Sequence, residues 1–205
     1  MHNHRREPMR FSFIPLALGC LIPFAAHAAD TEGKYAVRGA GAQSCENLAS
    51  VIDSDDAEQK RDAILVYSSW MSGYVSSLNR VTTSAYEVMP ILTESDVLAV
   101  LLTQCRRQPE MLVETVAFNI VEELAKAAAL TAETPVAELD VDGKTRRFRE
   151  GTLVLVNAKL AAAGFEQDEG TTVPQESALR AYQEKNDLPE SGVLDLATLL
   201  RLLLS

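Results

Sequence analysis

The sequence is poor in the residues on which most hydrolytic and metal chemistry depends. Its 205 residues include three histidines and three cysteines, and the histidines are His2, His4 and His27. A chain without imidazole has no Ser-His or Cys-His nucleophile pair and no histidine-containing zinc site. All three histidines lie within the first 28 residues. If these residues are removed, no histidine remains, and we therefore expect no enzyme activity, no cofactor and no metal site.

The first 28 residues have the pattern of a secretory signal peptide. Three arginines precede an apolar run over residues 11–24, and Ala26 and Ala28 occupy the positions of a small-residue cleavage site. The apolar run is shorter than the roughly 20 residues of a membrane span. We expect an exported, periplasmic chain with no transmembrane segment.

Cys20 offers a second way to process the same segment. The stretch from Ala17 to Cys20 resembles a lipoprotein processing site, at which the cysteine would be lipidated. Such sites usually carry leucine three residues before the cysteine, where this chain has Ala17. We therefore favour cleavage after Ala28.

Positive charge is scarce in the sequence. It has 19 basic and 29 acidic residues, and its net charge is −10. Removal of residues 1–28 takes away three arginines and one glutamate, which changes the net charge to −12. Nucleic-acid binding needs basic groups that neutralise phosphates, so we expect no nucleic-acid partner. The proportions of hydrophobic and charged residues, 47% and 23%, are those of a soluble globular protein.

Cys45 and Cys105 are the two cysteines beyond the first 28 residues. A pair of cysteines in an exported chain most simply forms a disulfide. A bridge that closes a loop of 60 residues would contribute about 4 kcal/mol to stability through chain entropy. We predict that these two residues are bonded.

Four helical patterns fill residues 40–130. Ser44 is predicted to cap the first helix and Thr93 or Ser95 the third, while Pro109 suits the first turn of the fourth. The predicted bridge would tie the first and third helices across the second. We therefore predict a compact helical bundle.

Three aromatic residues, Tyr67, Trp70 and Tyr74, lie at helical spacing on the second helix. They could form a ligand platform, but residues spaced in this way on an amphipathic helix usually belong to a core. We interpret them as core residues.

The first segment resembles the small periplasmic helical proteins of the HdeA-like group. The resemblance rests on Cys45-Glu46-Asn47-Leu48, on the segment from Trp70 to Tyr74, and on Cys105 followed by Pro109. It covers residues 40–130 and implies a periplasmic helical bundle with one bridge. By analogy it also implies a chaperone at low pH.

Helical periodicity lapses over residues 131–150. The pair Asp142-Gly143 is typical of a hairpin turn, so this stretch is either a small hairpin or a plain linker. Its basic cluster is expected to be solvated or paired within the chain. The cluster consists of Lys144, Arg146, Arg147 and Arg149.

Residues 151–205 are predicted to form three short helices. Gly164 suits a helix C-terminus, Pro174 is predicted to open the second helix, and Asp195 to cap the third. The whole chain is therefore expected to be all-α, with a disulfide-linked bundle followed by a three-helix domain.

This last segment resembles the small peptidoglycan-binding domain of many cell-wall enzymes. The matching residues are Leu160, Gly164-Phe165, Ala178 to Gln183, Leu188-Pro189, Gly192 to Asp195, and Thr198-Leu199. Most of them are scaffold residues, and the aromatic that the family usually carries in the loop before Pro174 is missing here. The resemblance implies peptidoglycan as the partner.

We place the binding site on a shallow polar face of this segment. The predicted contacts are Gly164, Phe165, Gly170, Thr171 and Gln183. The segment has a net charge of −4, so it offers an anionic wall polymer no long-range attraction, and we expect weak salt dependence.

Three classes of function remain open. The first is a non-catalytic periplasmic protein that binds peptidoglycan. The second is a chaperone or inhibitor-type protein with a periplasmic protein partner, whose last segment serves for docking or dimerisation. The third, an enzyme working through carboxylates such as Glu110, Glu114, Glu122 and Glu123, is disfavoured because acidic residues at helical spacing usually form a solvated face.

Overall fold

The computed structural model describes residues 30, 32–141, 143–165, 168 and 170–205. The expected signal peptide and Cys20 lie outside the described residues. Asp142, the first residue of the expected turn, also lies outside them.

The chain divides into two compact units, Met1–Ala36 and Val37–Ser205. In the described part of the first unit, the Asp30 carboxylate accepts hydrogen bonds from the backbone N–H groups of Glu32 and Lys34, at 2.9 and 2.8 Å. The second unit holds both segments that the sequence analysis treats as helical.

Within its described residues, the second unit contains seven α-helices and one two-stranded hairpin. The 3₁₀ helix Gly39–Ala42 precedes α1 (Cys45–Asp53), α2 (Ala57–Val81), α3 (Glu94–Arg107) and α4 (Val113–Ala128). The antiparallel strands β1 (Val136–Val141) and β2 (Lys144–Arg149) follow. The chain ends with α5 (Glu150–Ala162), α6 (Glu176–Lys185) and α7 (Leu196–Leu203). The helical expectation is confirmed, but all-α is too narrow, because the stretch after α4 forms a hairpin.

Short polar side chains start the helices where the sequence predicts them. The Ser44 hydroxyl accepts from the N–H of Asn47 at 3.2 Å, and the Asp195 carboxylate accepts from the N–H of Thr198 at 2.8 Å. Thr93, one of the two residues proposed for α3, is its N-cap residue. Each cap gives a partner to an N–H group or sets the backbone that the first helical turn needs.

The prediction that Pro109 lies in the first turn of α4 is wrong. This helix begins at Val113, because the preceding residues pair with the start of α1. The carbonyls of Pro109 and Met111 accept from the N–H groups of Glu46 and Cys45, at 2.9 and 2.8 Å. The N–H groups of a first helical turn have no partner within their own helix, so the extended segment before α4 caps α1.

The predicted bridge between Cys45 and Cys105 is present. Both cysteines have no exposed surface, at the start of α1 and near the end of α3. Helix α1 packs directly against α3 as well as α2. The bridge therefore joins two neighbouring helices, and the prediction that it spans α2 is wrong. The largest fully buried side chains of residues 40–130 include Leu48, Met71, Met89, Leu101 and Leu124.

The hairpin packs against the bundle through apolar and charged contacts. Val141 and Phe148 are buried. The guanidinium of Arg146 lies 2.7 Å from the carboxylate of Asp96 on α3, and Arg149 lies over the ring of Tyr86. Two members of the basic cluster are therefore paired within the chain, as one of the two expectations had it.

The last three helices enclose a core of leucine, valine and tyrosine side chains. Helix α7 contacts both α5 and α4, so residues 151–205 pack on the bundle that precedes them. The start of α6 differs from the prediction, since Pro174 is buried ahead of the helix and Gln175 is its N-cap residue. The fully buried core side chains here are Leu153, Leu160, Leu202 and Leu203.

Candidate functional site

The turn after α5 places one predicted contact residue at a cavity. Gly164 has φ 89°, the left-handed conformation that glycine adopts at helix ends. The next N–H, that of Phe165, donates to the Leu160 carbonyl at 3.0 Å. This turn directs the Phe165 ring edge-on against Tyr182, with ring centres 5.6 Å apart. The two aromatic residues therefore lie side by side on α6 and the turn before it.

Phe165 and Tyr182 line a cavity of 720 Å³ between α3 and the last three helices. Helix α3 contributes Thr103, Gln104 and Arg107, and α7 contributes Leu200, Arg201 and Leu204 among others. Its remaining described lining residues are Ala163, Lys185, Asn186, Leu188, Ala197 and Ser205. We call this cavity the aromatic groove.

The aromatic groove is rich in positive charge. Its lining includes Arg107, Lys185 and Arg201, and no aspartate or glutamate side chain among the described residues. The Lys185 ammonium lies 5.3 Å from the centre of the Phe165 ring, a distance at which a cation is attracted to an aromatic face. The groove can thus offer both an apolar surface and cationic donors to a ligand.

Tyr182 lines the groove but is almost fully buried. Burial raises the pKa of its hydroxyl, and the nearby Arg201 opposes this with a smaller effect. The phenol therefore stays neutral at physiological pH, when it can donate a hydrogen bond.

A second cavity, of 570 Å³, adjoins the aromatic groove. The two share Gln104, Leu200 and Leu204. The rest of the second cavity is mainly apolar and lies along α3 and α4, where Val100, Val116, Ile120 and Leu124 contribute. An extended ligand in the aromatic groove would have room to continue along the bundle.

Gln183, a second predicted contact residue, is not on the surface. It has no exposed area. Its amide nitrogen lies 2.9 to 3.1 Å from acceptors on Ser191, Val193 and Thr198, and its amide oxygen accepts from the N–H of Gly192 at 2.8 Å. The structure gives Gln183 the role of holding the turn before α7 onto α6.

The loop residues Gly170 and Thr171 lie away from the groove lining. Gly170 is exposed with φ 81°. The backbone oxygens of Thr171 and Thr172 accept from the Asn157 amide at 3.0 Å each, which ties the loop to α5. Of the five predicted contacts, the structure therefore brings Phe165 to the groove, leaves Gly164 beside it, and places the other three elsewhere.

The cations of the groove were missed because nothing local in the sequence marks them. Arg107 ends α3, whereas Lys185 and Arg201 lie about 80 and 95 residues further along the chain. Their proximity depends on how α7 packs on the bundle, which periodicity does not report.

The core prediction for the aromatic residues of α2 is correct only for Tyr67, because Trp70 and Tyr74 are half-buried and pack against the core from its edge. Trp70 and Tyr74 stack with ring centres 5.0 Å apart, and the Trp70 indole N–H donates to the Arg38 carbonyl at 3.1 Å. Gly41 lies so close to the indole that an added Cβ would be 2.1 Å from Cζ2. Tyr67 is buried. The ring pair is therefore packed under residues 38–41.

The carboxylates that an enzyme would need are dispersed. Glu122 and Glu123 are exposed and pair with Lys126, whose pKa is raised by its hydrogen bond to Glu122. Glu114 differs from the expected solvated face, because it is buried and accepts a hydrogen bond from the Tyr74 hydroxyl at 3.0 Å. Glu110 is exposed.

Among the described residues, no group of three or more histidine, cysteine, aspartate or glutamate side chains is arranged to hold a metal ion. No helix among them is both long and apolar enough to cross a membrane. No protein-family model, curated protein or solved structure matches this chain.

Proposed function

We propose that this chain is a non-catalytic, exported protein that binds peptidoglycan through its last three helices. The observation that carries the proposal is the aromatic groove, in which Phe165 and Tyr182 lie beside cationic side chains in a cavity of 720 Å³. The motif resemblance of residues 151–205 to peptidoglycan-binding domains and the signal-like first 28 residues support it.

The chemistry of the groove suits this polymer. Phe165 is half-buried and offers an apolar surface that can pack against a sugar ring, while the buried Tyr182 packs against Phe165 and holds its ring in place. Cationic groups and amides at the rim can fix the orientation of the peptide branches. Peptidoglycan combines sugars and carboxylate-bearing peptides, so a groove of mixed character fits it better than it fits a purely apolar ligand.

The absence of catalysis is part of the proposal. Beyond residue 27 the sequence has no histidine. Glu122 and Glu123 are exposed and paired with the same lysine, whereas a catalytic acid of this type lies in an apolar pocket. We expect the chain to hold wall material without cleaving it.

Co-sedimentation with insoluble sacculi tests the proposal. Residues 29–205 should pellet with sacculi and stay in the supernatant with cellulose. Phe165→Ala should lower the bound fraction, whereas Val154→Ala, which removes an exposed apolar side chain from α5, should leave it unchanged. Circular dichroism of both variants controls for folding.

Two results would overturn the proposal. If the chain does not pellet with sacculi, wall binding is wrong and a protein ligand for the last segment becomes the better hypothesis. If the chain releases soluble muropeptides and Glu114→Gln or Glu122→Gln abolishes the release, the protein is an enzyme.

A further inference from the structure

We infer that the aromatic groove recognises free carboxylates of the peptidoglycan stem peptide, and that α3 completes the site with Arg107. This inference rests on the proposed function, because it names the part of the polymer that the same groove would hold. It adds that the site belongs to both helical segments of the chain and not to residues 151–205 alone.

The distribution of charge points to an anionic ligand. The chain has a net charge of −10, yet three cations and no acidic side chain line the described part of the groove. A groove of this sign on an acidic protein concentrates favourable potential for a carboxylate at one place.

Arg107, Lys185 and Arg201 have no carboxylate partner among the described residues, unlike Arg106 and Arg180. Arg106, next to Arg107, forms an ion pair with Asp53 at 2.6 Å, and Arg180 on α6 forms one with Glu176 at 2.7 Å. Among the described residues, no carboxylate lies within ion-pair distance of Arg107, Lys185 or Arg201. A ligand could therefore bind them without breaking an ion pair to a described residue, and at Arg201 it would compete only with a hydrogen bond from Nε to the Asn186 side-chain oxygen at 3.4 Å.

The chemistry of the polymer selects the peptide as the charged part. In peptidoglycan the lactyl carboxyl of the glycan is used in the amide bond to the stem peptide, so the remaining carboxylates lie mostly on the peptide. A guanidinium donates two parallel hydrogen bonds to a carboxylate, and such charge-assisted bonds are about twice as strong as neutral ones. Arg107 comes from α3 and Arg201 from α7, so each can take one carboxylate.

Helix α3 is an integral wall of this site. Thr103, Gln104 and Arg107 follow one another at intervals of one and three residues, which places them on one side of a helix. Residues 151–205 on their own would lack these three side chains and one of the three cations.

Calorimetric titration of residues 29–205 with a soluble stem tetrapeptide tests the inference. The groove variant carries Arg107→Gln, Lys185→Gln and Arg201→Gln. The control variant carries Arg61→Gln, Arg80→Gln and Lys144→Gln, which changes the net charge equally at exposed residues outside the groove. A peptide with amidated carboxylates is the second ligand.

The groove variant should bind the free peptide at least about tenfold more weakly, and the control variant should bind like the parent. The parent should lose a similar factor with the amidated peptide. Arg107→Gln alone should weaken binding about threefold or more, while Arg106→Gln should not. Equal affinity of the groove and control variants for the free peptide, or no effect of amidation, would overturn carboxylate recognition. No effect of Arg107→Gln would remove α3 from the site.

The same proteins, pelleted with sacculi, separate this inference from the proposed function. If the parent and the groove variant pellet equally, wall binding stands and carboxylate recognition is wrong. If the parent binds the tetrapeptide through the groove but does not pellet, carboxylate recognition stands and wall binding is wrong. If the parent binds neither ligand, both are wrong.

Discussion

Arg146 on β2 and Asp96 in the first turn of α3 form an ion pair of 2.7 Å that joins the hairpin to the bundle. Their side chains are 23% and 13% exposed, so water screens the pair only in part. Removing one partner would leave the other charge largely desolvated, which is more costly than losing an exposed pair.

We predict that Arg146→Gln lowers the free energy of unfolding by about 3 kcal/mol. Arg147→Gln, at the neighbouring exposed position of the same strand, should change it by less than about 0.5 kcal/mol. Urea denaturation measures both values. Equal stability of the two variants would show that the pair with Asp96 contributes nothing.

The same pair makes a prediction about pH. Burial raises the pKa of Asp96 above its usual value, and the Arg146 guanidinium beside it lowers the pKa by a smaller amount. Since the folded chain then holds this proton more tightly than the unfolded chain, the contribution of Asp96 to stability falls as pH rises from the unfolded pKa through the raised folded pKa.

We therefore expect Asp96→Asn to become more stable relative to the parent over that pH range as pH rises. Removal of Arg146 should raise the Asp96 pKa further and extend the range upward. Denaturation of the parent, Asp96→Asn and Arg146→Gln at a series of pH values checks this. A difference between the parent and Asp96→Asn that grows in favour of the parent with rising pH would contradict it.

Loss of the Cys45–Cys105 bridge should destabilise the bundle strongly. The bridge closes a loop of 60 residues, so changing both cysteines to alanine should cost about 4 kcal/mol through the greater entropy of the unfolded chain. Chemical denaturation of the double variant measures the loss. Alkylation of both Cys45 and Cys105 in protein isolated from cells without reductant would show that the bridge does not form there.

The contact between Gly41 and Trp70 predicts opposite effects for two glycines. Gly41→Ala would place a methyl group inside the indole and should cost about 1–3 kcal/mol as residues 38–41 move away. Gly73→Ala, in the interior of α2 with no atom within 4 Å of the added Cβ, should gain about 0.5–1 kcal/mol.

Tryptophan fluorescence reports on the first of these changes directly, because Trp70 is the single tryptophan of the chain. The emission of Gly41→Ala should shift to longer wavelength as the ring gains water, and that of Gly73→Ala should not. An unshifted emission in Gly41→Ala would mean that residues 38–41 do not cover the indole.

Local features of the fold could be predicted from the sequence, and long-range contacts could not. The caps at Ser44 and Asp195 and the helix end at Gly164 depend on residues within three or four positions, so spacing alone indicates them. The helix start predicted at Pro109 was wrong because the Pro109 carbonyl accepts a hydrogen bond from α1, more than 60 residues earlier. Arg107 was not identified as a site residue because its neighbours in the groove come from the end of the chain.

Gln183→Leu should lower the stability of the last three helices. The change keeps the volume similar but leaves the N–H of Gly192 without its buried acceptor, which costs about 1–3 kcal/mol. Glu184→Gln, at the exposed neighbouring position, should have no effect. Thermal unfolding followed by circular dichroism checks both variants, and an unchanged melting temperature in Gln183→Leu would contradict the structural role.

The place of Gln183 behind the groove affects how a mutational scan of this protein should be interpreted. Its amide fixes the turn that leads into α7. Helix α7 contributes Leu200 and Arg201 to the lining of the groove, and α6 contributes Tyr182. A substitution at Gln183 would change the separation of α6 and α7 and weaken the proposed ligand binding without the loss of any ligand contact. Scored on binding alone, this fully buried residue would be mistaken for part of the ligand surface, so the scan has to record folded fraction beside affinity.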